Sequence, residues 1–563
     1  MTTPTLSTLF RDCFATTSFC EPLPFEINDA RRSVLERVWG LMAADYEGDA
    51  LLNSYVDRLI AAGAPPIEAH RNTAVVGLEP QDELPWLTRA ALLAASALQF
   101  REEVLSSTLP EAYRCGFSDP LEASPYECFF SSCLAPGEQD GDGAQWNRER
   151  SSHLIVLSGG RAVAVEVLRD GLRADAASLL AAFKEIVADD GPPAPWPAGM
   201  GLLSTLGIDE WSATMRRLAA SESGRRAVAD LNSALFVVAL DHPVAERAAP
   251  LKDPGVRMHA GDPGNRWYNA GINLVVNDEG QAGVLLNIFA GIPGVPAATF
   301  ASYLFDRVAT LRSELEHPPT PLLRRACPLE LTQAEQSRLE ARKVELAASQ
   351  LLRDGTSEVD VTREDFSAIR HGWGCAMLSA YYCASHRLWG DDFSLSFLLS
   401  VKALREGALF IVPARLPAIG ELVDAIDRGE SAGAIRSKLE RAAADYGRVV
   451  TAAQSGVEVH SLMWLLLLGL PMYATDEELA LFPPMPESDA HRIRASNIPD
   501  LPGVRYVGRF VPAPLARSIW VHYRALRGRT QLVVQPGEQD RERCDEWRAN
   551  VVATLRTLRD AMR

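Results

Sequence analysis

Few side chains in this sequence stand where chemistry would need them. Ten histidines are spread over 563 residues, and no cluster of histidine and cysteine has metal-ligand spacing, so no metal is expected. The nine cysteines are scattered. The closest pairs are Cys13/Cys20 and Cys128/Cys133. None forms C-x-x-C, and the expected reading is reduced, small hydrophobes. No G-x-S-x-G nucleophile motif is found. "GDPGNRWYN" is glycine-rich, but no helix with a phosphate-cradling pattern follows it, which argues against nucleotide binding. Just after "NRWYN", where a catalytic base could be presented, the chain reads "GVLLNIFAGIPG", Gly283 to Gly294. That stretch contains no histidine, cysteine, aspartate or glutamate. It offers Asn287, Ile288 and Phe289 instead.

The elements that would carry such residues are mixed. A length of 563 residues implies two large domains, or one domain with a big insertion. With 56 basic and 73 acidic residues the formal charge is −17. A chain this acidic, with no Lys/Arg-rich run, is a poor partner for nucleic acid or anionic membranes. "MTTPTLSTLFRDCFATT" lacks a signal pattern, and the run from Leu462, "LMWLLLLGLPMY", is too short to span a bilayer. A cytoplasmic protein with no membrane span is therefore expected. Apolar periodicity predicts helices in "ARRSVLERVWGLMAADYEGDALLNSYVDRLIAAG", in "PWLTRAALLAASALQFREEVL" with Pro85 at its start, at Ala176–Val187 and at Glu210–Leu218. Further helices are expected in the run from Leu462, in "TQAEQSRLEARKVELAASQLL", in "AGAIRSKLERAAADYGRVVTAAQ" and at the C-terminal end, where Trp547, Val551, Leu555, Leu558 and Met562 share one stripe. Hairpins are predicted around Gly159-Gly160 and around Asn277-Asp278-Glu279-Gly280, with a buried strand in "LNSALFVVALD". "VRYVGRFV", "SIWVHYR" and "TQLVVQ" read as strands. "APGEQDGDGAQWNRERSS" has the composition of a disordered loop. The lack of strict βαβ alternation argues against a parallel doubly wound sheet.

Several segments together resemble the choline/carnitine O-acyltransferase family. "CFFSSCLAPGEQD" followed by "SSHLIVLSGGRAVAVEV" is similar to its F-S-S-C-R-I-P-G and H-x-x-V segments. "GMGLLSTLGIDEWSATMRRL" is similar to its G-x-L-T-S-x-x-R-x-x-W. "HAGDPGNRWYNAGINLVVNDEGQAGVLLN" is similar to its H-G-G-G, N-R-W-Y-D-K and E-D-G-x-x-G-x-x-x-E-H run. "RASNIPDLPGVRYVGRFVP" is similar to its S-T-S-Q-x-P and the strand after it. The matches keep the family's order over nearly the whole chain. The resemblance implies an α/β fold with α+β mixed sheets: the two-lobed coenzyme A-dependent acyltransferase fold, like chloramphenicol acetyltransferase, with a central tunnel. Residues 22–84 plus 331–563 would make one lobe and 85–330 the other. In the family a histidine takes a proton from the acceptor hydroxyl, which attacks an acyl thioester. Such a positioned base contributes roughly a hundred- to ten-thousandfold in rate.

The departures are as informative as the matches. Aligned from Gly283, Asn287 falls on the family's glutamate and Ile288 on its catalytic histidine. Isoleucine can neither take nor give a proton. Ile288 is either one wall of a pocket with different chemistry or plain core. The acceptor-binding tyrosine of Y-E-S and the G-R-T threonine have no counterpart, and in "GVEVHSL" Val459 replaces the arginine of D-R-H. His460, beside it, is a relocated base or a structural histidine. His153 and His259 match family histidines that are not catalytic; His371 and His386 read as surface or helix-end residues. Of S-T-S, which falls on Arg494, Ala495 and Ser496, the last serine is kept. That serine steadies the tetrahedral oxyanion in the family, or here caps a strand edge. Arg353 stands near one of the two lysines that hold the coenzyme A phosphate. The resemblance thus implies a diverged enzyme acting on an acyl thioester of coenzyme A or a carrier protein, or on a large hydrophobic metabolite, by non-family chemistry. The alternative is an inactive binding or scaffold protein. A small-molecule or acyl-thioester partner and a monomer are expected.

Overall fold

In a computed structural model the protein is described at residues 27–44, 69–81, 84–114, 126, 129–137, 144–147, 150–188, 199–242, 254–287, 290, 294–349, 356–400, 409–454, 459–482, 490–508 and 516–563. Eighteen strands follow one another among them. The first eleven are β1 Thr73–Leu78, β2 Cys133–Pro136, β3 Ala144–Asn147, β4 His153–Ser158, β5 Arg161–Glu166, β6 Leu168–Arg169, β7 Leu172–Arg173, β8 Val237–Asp241, β9 Ile272–Asn277, β10 Ala282–Asn287 and β11 Arg324–Ala326. The rest are β12 Thr356–Val359, β13 Phe393–Ser400, β14 Leu409–Pro413, β15 His491–Asn497, β16 Val504–Gly508, β17 Ser518–Leu526 and β18 Arg529–Pro536. The fold is mixed α/β with mixed sheets, since parallel and antiparallel pairs occur in both large sheets.

Two compact units result. One is drawn from within Met1–Ala64, Thr356–Asn497 and Leu515–Arg563, the other from within Pro65–Gly355 and Ile498–Pro514. These boundaries differ from the expected 22–84 plus 331–563 and 85–330. The reason lies in strand pairing: β1 lies antiparallel between β10 and β16, so Thr73–Leu78 and Val504–Gly508 both join the 8-stranded sheet of the second unit.

The 8-stranded sheet has the order β11-β5-β4-β8-β9-β10-β1-β16. Both expected hairpins, β4–β5 and β9–β10, form with their glycine turns at positive φ: Gly159 at 57°, Gly160 at 74° and Gly280 at 77°. The expected strand in "LNSALFVVALD" starts only at Val237, because Leu231–Ser233 finish the helix Glu222–Ser233. All five residues of β8 are buried, as suits a strand flanked by parallel neighbours on both sides. The helices Trp86–Leu105 and Gly294–Leu311 pack on this sheet, with Phe100 edge-on to Phe300 and to Tyr303 at 4.9 Å. Part of the loop expected to be disordered is ordered: Ala144–Asn147 pairs with Cys133–Pro136.

The 6-stranded sheet has the order β12-β18-β17-β15-β13-β14. Helices Asp29–Ala44, Gly372–Trp389, Ala432–Gln454 and Cys544–Met562 supply its core, where Trp547, Val551, Leu555 and Leu558 are fully buried. The apolar run from Leu462 lies in the helix Val459–Tyr473, which contains Pro471. Among the described residues no helix is long and apolar enough to cross a membrane.

The edge of the 8-stranded sheet depends on a glycine. Gly77 faces Tyr506 of β16 in register, and a Cβ there would lie 2.2 Å from the phenol ring. We expect Gly77→Ala to force the two strands apart and destabilise the protein by about 1–3 kcal/mol, read as a lowered melting temperature that Tyr506→Ala in the same chain partly restores. An unchanged melting curve would show that this close approach is not required.

Candidate functional site

The segment around "NRWYN" is built on buried polar contacts. Arg266 is completely buried. Its two terminal nitrogens donate to both carboxylate oxygens of Asp241, at 2.8 and 2.7 Å, and its Nε donates to the Met258 carbonyl at 2.9 Å. Burial lowers the guanidinium's pKa, but the Asp241 charge outweighs it and the net shift is upward. Asn265 adds a third bond to Asp241, and Asp262, whose pKa burial raises, caps the short turn Pro263–Asn265. Two further asparagines hold irregular backbone against the sheet. Asn273 accepts from the Trp267 amide and donates to its carbonyl, both at 2.9 Å.

Asn287 ends β10 beside Thr73 and is buried. Its side-chain amide donates to the Tyr268 carbonyl at 2.9 Å. An ionised glutamate, an acceptor only, could not make that bond. Asn287 is therefore spent on holding Tyr268. Beyond it, Ile288 and Phe289 lie outside the described residues. The Tyr268 hydroxyl, pushed up in pKa by burial, donates to the His259 carbonyl at 2.6 Å. His259 in turn places Nε2 2.9 Å from the His70 carbonyl, and both imidazoles lie against the Tyr268 ring at 5.3 and 6.0 Å. With a carbonyl facing Nε2, His259 carries its proton there, a structural arrangement. His70 is new: the sequence reading passed over it, because "AHRNTAVV" gives no sign that its strand lies beside β10.

In the other unit, Arg494, Ala495 and Ser496 lie on β15, an interior strand between β13 and β17, so Ser496 does not cap a sheet edge. Alternation divides them. Ala495 joins Ile493, Ile519, Val521 and Tyr523 in the helix-covered core. Arg494 and Ser496 take the opposite face, where they are partly exposed. In the parallel register with β17, Arg494 pairs with Trp520 and Ser496 with His522. The Arg494 guanidinium sits 5.2 Å from the centre of the Trp520 ring, a cation–π contact. Arg524 donates to Gln531 at 3.5 Å on the same face, and both are buried with Gln535. The sequence reading missed His522 although "SIWVHYR" carried the signal: Trp520, His522 and Arg524 alternate with Ile519, Val521 and Tyr523.

The remaining candidates are less active in appearance. Val459 and His460 begin the helix Val459–Tyr473, but their side chains are outside the described set, as is Arg353 altogether. His153 is buried between the Ser151 hydroxyl at 2.9 Å and the Asp230 carbonyl at 2.8 Å. His371 precedes the helix Gly372–Trp389 with a φ of 62°, and His386 stacks on Tyr382 within that helix. Burial pushes the thiols of Cys133, Cys327 and Cys375 up to about 12, which makes them poor nucleophiles at neutral pH. Among the described residues no group of three or more His, Cys, Asp or Glu could hold a metal. A third imidazole escaped the sequence reading. His491 places Nδ1 2.7 Å from the buried Asp540 carboxylate and stacks on Trp389 at 4.2 Å. Burial raises the Asp540 pKa against the opposing pull of His491. By alternation this pair belongs to the helix-covered face of β15, away from Ser496.

The buried His70 ring makes folding pH-dependent. Burial first, then Arg342, His259 and Arg71, holds its pKa well below the ordinary 6.5. Because the folded value is depressed, this group's contribution to stability is complete above the unfolded value and is lost as pH falls toward the folded one. The melting temperature is expected to drop between about pH 7 and about pH 5, and His70→Gln to reduce that slope. Equal slopes in parent and variant would exclude His70 as the source.

Comparison with known proteins bears on the part of the chain that holds Asn265 to Asn287. The model of the family described as choline/carnitine O-acyltransferase matches residues 61–368. Mitochondrial carnitine O-palmitoyltransferase 2 of Xenopus tropicalis is 27% identical over 167 residues, 29% of this chain and 24% of the relative. Carnitine O-acetyltransferase of Mus musculus is 22% identical over 240 residues, 41% of this chain and 37% of the relative. The matched stretch thus spans about a quarter to somewhat over a third of these relatives' length. Among solved structures, the first condensation domain of the calcium-dependent antibiotic synthetase is similar at a TM-score of 0.39 and 11% identity, covering 91% of this chain and 96% of that one. With the family's model matching more than half of its residues, the chain belongs to the choline/carnitine O-acyltransferase family.

Proposed function

We propose that this protein transfers an acyl group from a thioester, carried on coenzyme A or on a carrier protein, to an acceptor that is neither carnitine nor choline, and that it does so without the histidine its family uses. Family membership supports the acyl-transfer half. The observation that carries the reading is Ser496, retained from the family's S-T-S and set on a polar sheet face beside Arg494, His522 and Arg524. A hydroxyl placed in this way can donate to the oxyanion that develops when a nucleophile adds to a thioester.

The acceptor half rests on what has been replaced. Val459 stands in place of the arginine, and the tyrosine and threonine that complete the family's carnitine site have no counterpart. A carboxylate leaves water only for a cation or several donors. Valine supplies neither. Ile288, in place of the family's imidazole, removes the ordinary route for deprotonating an alcohol.

The test follows thiol release from acetyl- and palmitoyl-coenzyme A, chosen because the named relatives are acetyl- and palmitoyltransferases, with carnitine, choline and a panel of small alcohols and amines as acceptors. We expect release that carnitine does not accelerate, and a fall of about a hundredfold or more in Ser496→Ala. Rapid carnitine acylation would overturn the acceptor reading. No release with any acceptor would instead mark a non-catalytic binding protein.

A further inference from the structure

We propose that this protein carries an additional small-molecule site, a cleft between the helices Ile208–Leu218 and Gln333–Ser349, and that its ligand is a primary alkylammonium: an apolar chain of about ten carbons ending in a cation. The site is separate from the acyl-transfer reading above and goes beyond it. Both helices belong to the second unit, and the short turn Met200–Thr205 contributes to the floor between them.

Helical spacing assembles the cleft. Glu210 and Thr214 stand four apart on the first helix, and Glu335 and Leu339 four apart on the second, so each pair shares a face. Arg338, three on from Glu335, borders the same face. With Leu203 and Leu206 these residues enclose about 250 Å³. The walls made by Leu203, Leu206, Thr214 and Leu339 are buried. Long charged side chains join the two helices: Arg338 Nε donates to Glu210 at 3.1 Å, and Arg217 donates to both carboxylate oxygens of Glu335 at 2.7 Å. Such bridges hold the helices together without filling the space between them. An apolar cavity of about 150 Å³ takes up benzene, so by proportion this one accommodates about ten carbons. A concave, mostly apolar surface with a few convergent polar groups is what a small-molecule site requires.

The charges select the head group. Two carboxylates and one guanidinium line the cleft. Glu335 is engaged by Arg217 and also accepts from the amide and hydroxyl of Thr332. Arg338 has a second partner, Glu345, to which its Nη1 donates at 3.0 Å. Glu210 depends on Arg338, at 3.1 and 3.5 Å, and is exposed. An incoming ammonium can take Glu210 while Arg338 keeps Glu345, so every charge stays paired. A carboxylate head would have to share Arg338 with Glu210, which sets two like charges side by side. A neutral head would gain the apolar contact alone.

Binding of decylammonium to the full chain, measured by isothermal titration calorimetry below its micelle range, tests this, with circular dichroism to verify each variant. We expect saturable binding, weakened about threefold to fivefold in Glu210→Gln, as befits an exposed ion pair. Ala334→Phe fills the cleft from an exposed lining position and is expected to weaken binding about tenfold or more. Decanoate and 1-decanol are expected to bind more weakly than the amine. No saturable binding to the parent overturns the proposal. So does a folded Ala334→Phe with the parent's affinity, since the amine would then sit elsewhere on this acidic chain. Decanoate or 1-decanol binding as tightly as decylammonium, or an unchanged affinity in Glu210→Gln, overturns the choice of a cation. No thioester enters these measurements, so they stand or fall apart from acyl transfer.

Discussion

A single buried ion pair determines where the irregular part of the second unit can lie. The Arg266 side chain is fully buried and that of Asp241 nearly so, and neither charge is tolerable there alone: removing one partner of such a pair typically costs about 3–5 kcal/mol. The pair is completed by the Met258 carbonyl and Asn265, so the guanidinium is bonded at all three nitrogens. Asp241 is the last residue of β8, and β8 lies between β4 and β9 in the sheet. The segment from Pro263 to Ala270 is consequently tied to the C-terminal end of a central strand, not to a loop free to drift.

That constraint passes on to the end of β10. Once Trp267 and Tyr268 are fixed, their backbone groups are buried and need partners. Asn273 satisfies the first and Asn287 the second. An amide at 287 does what a carboxylate cannot, since it donates to a carbonyl. Asn287 thus has a purely structural use: it holds the backbone of Tyr268 against the end of β10.

Much of this was legible before any coordinates. Turns announced by Gly159-Gly160 and Gly280 fixed both hairpins, and the stripe from Trp547 to Leu558 fixed a buried helix, because these signals are local. The resemblance named Arg494–Ser496 and Asn287 as residues to place, and their register and bonds came only with the fold. What stayed hidden depended on contacts distant in sequence. Thr73–Leu78 is an unremarkable six-residue apolar run, and its membership of the second unit follows only from partners at Gly283–Asn287 and Val504–Gly508. His70 gains its meaning from the same pairing. His522 was visible as part of an alternating strand, but which alternate set faces the helices is decided by the surrounding core and cannot be read from the run itself.

The two faces of the 6-stranded sheet make the last step of the argument. One face is a conventional core, closed by Ile493, Ala495, Ile519, Val521, Leu532 and Val534 under the helices of that unit. Burial of that face alone would allow any soluble residues on the other. Instead β17 and β18 place Trp520, His522, Arg524, Gln531 and Gln535 there, and all five are buried. Taking an arginine, an imidazole and two amides out of water is unfavourable unless each is bonded. A sheet kept merely for its shape would be more stable with aliphatic residues at those positions, as its first face shows. A row of buried polar groups beside a partly exposed serine is therefore what sets this face apart from the first.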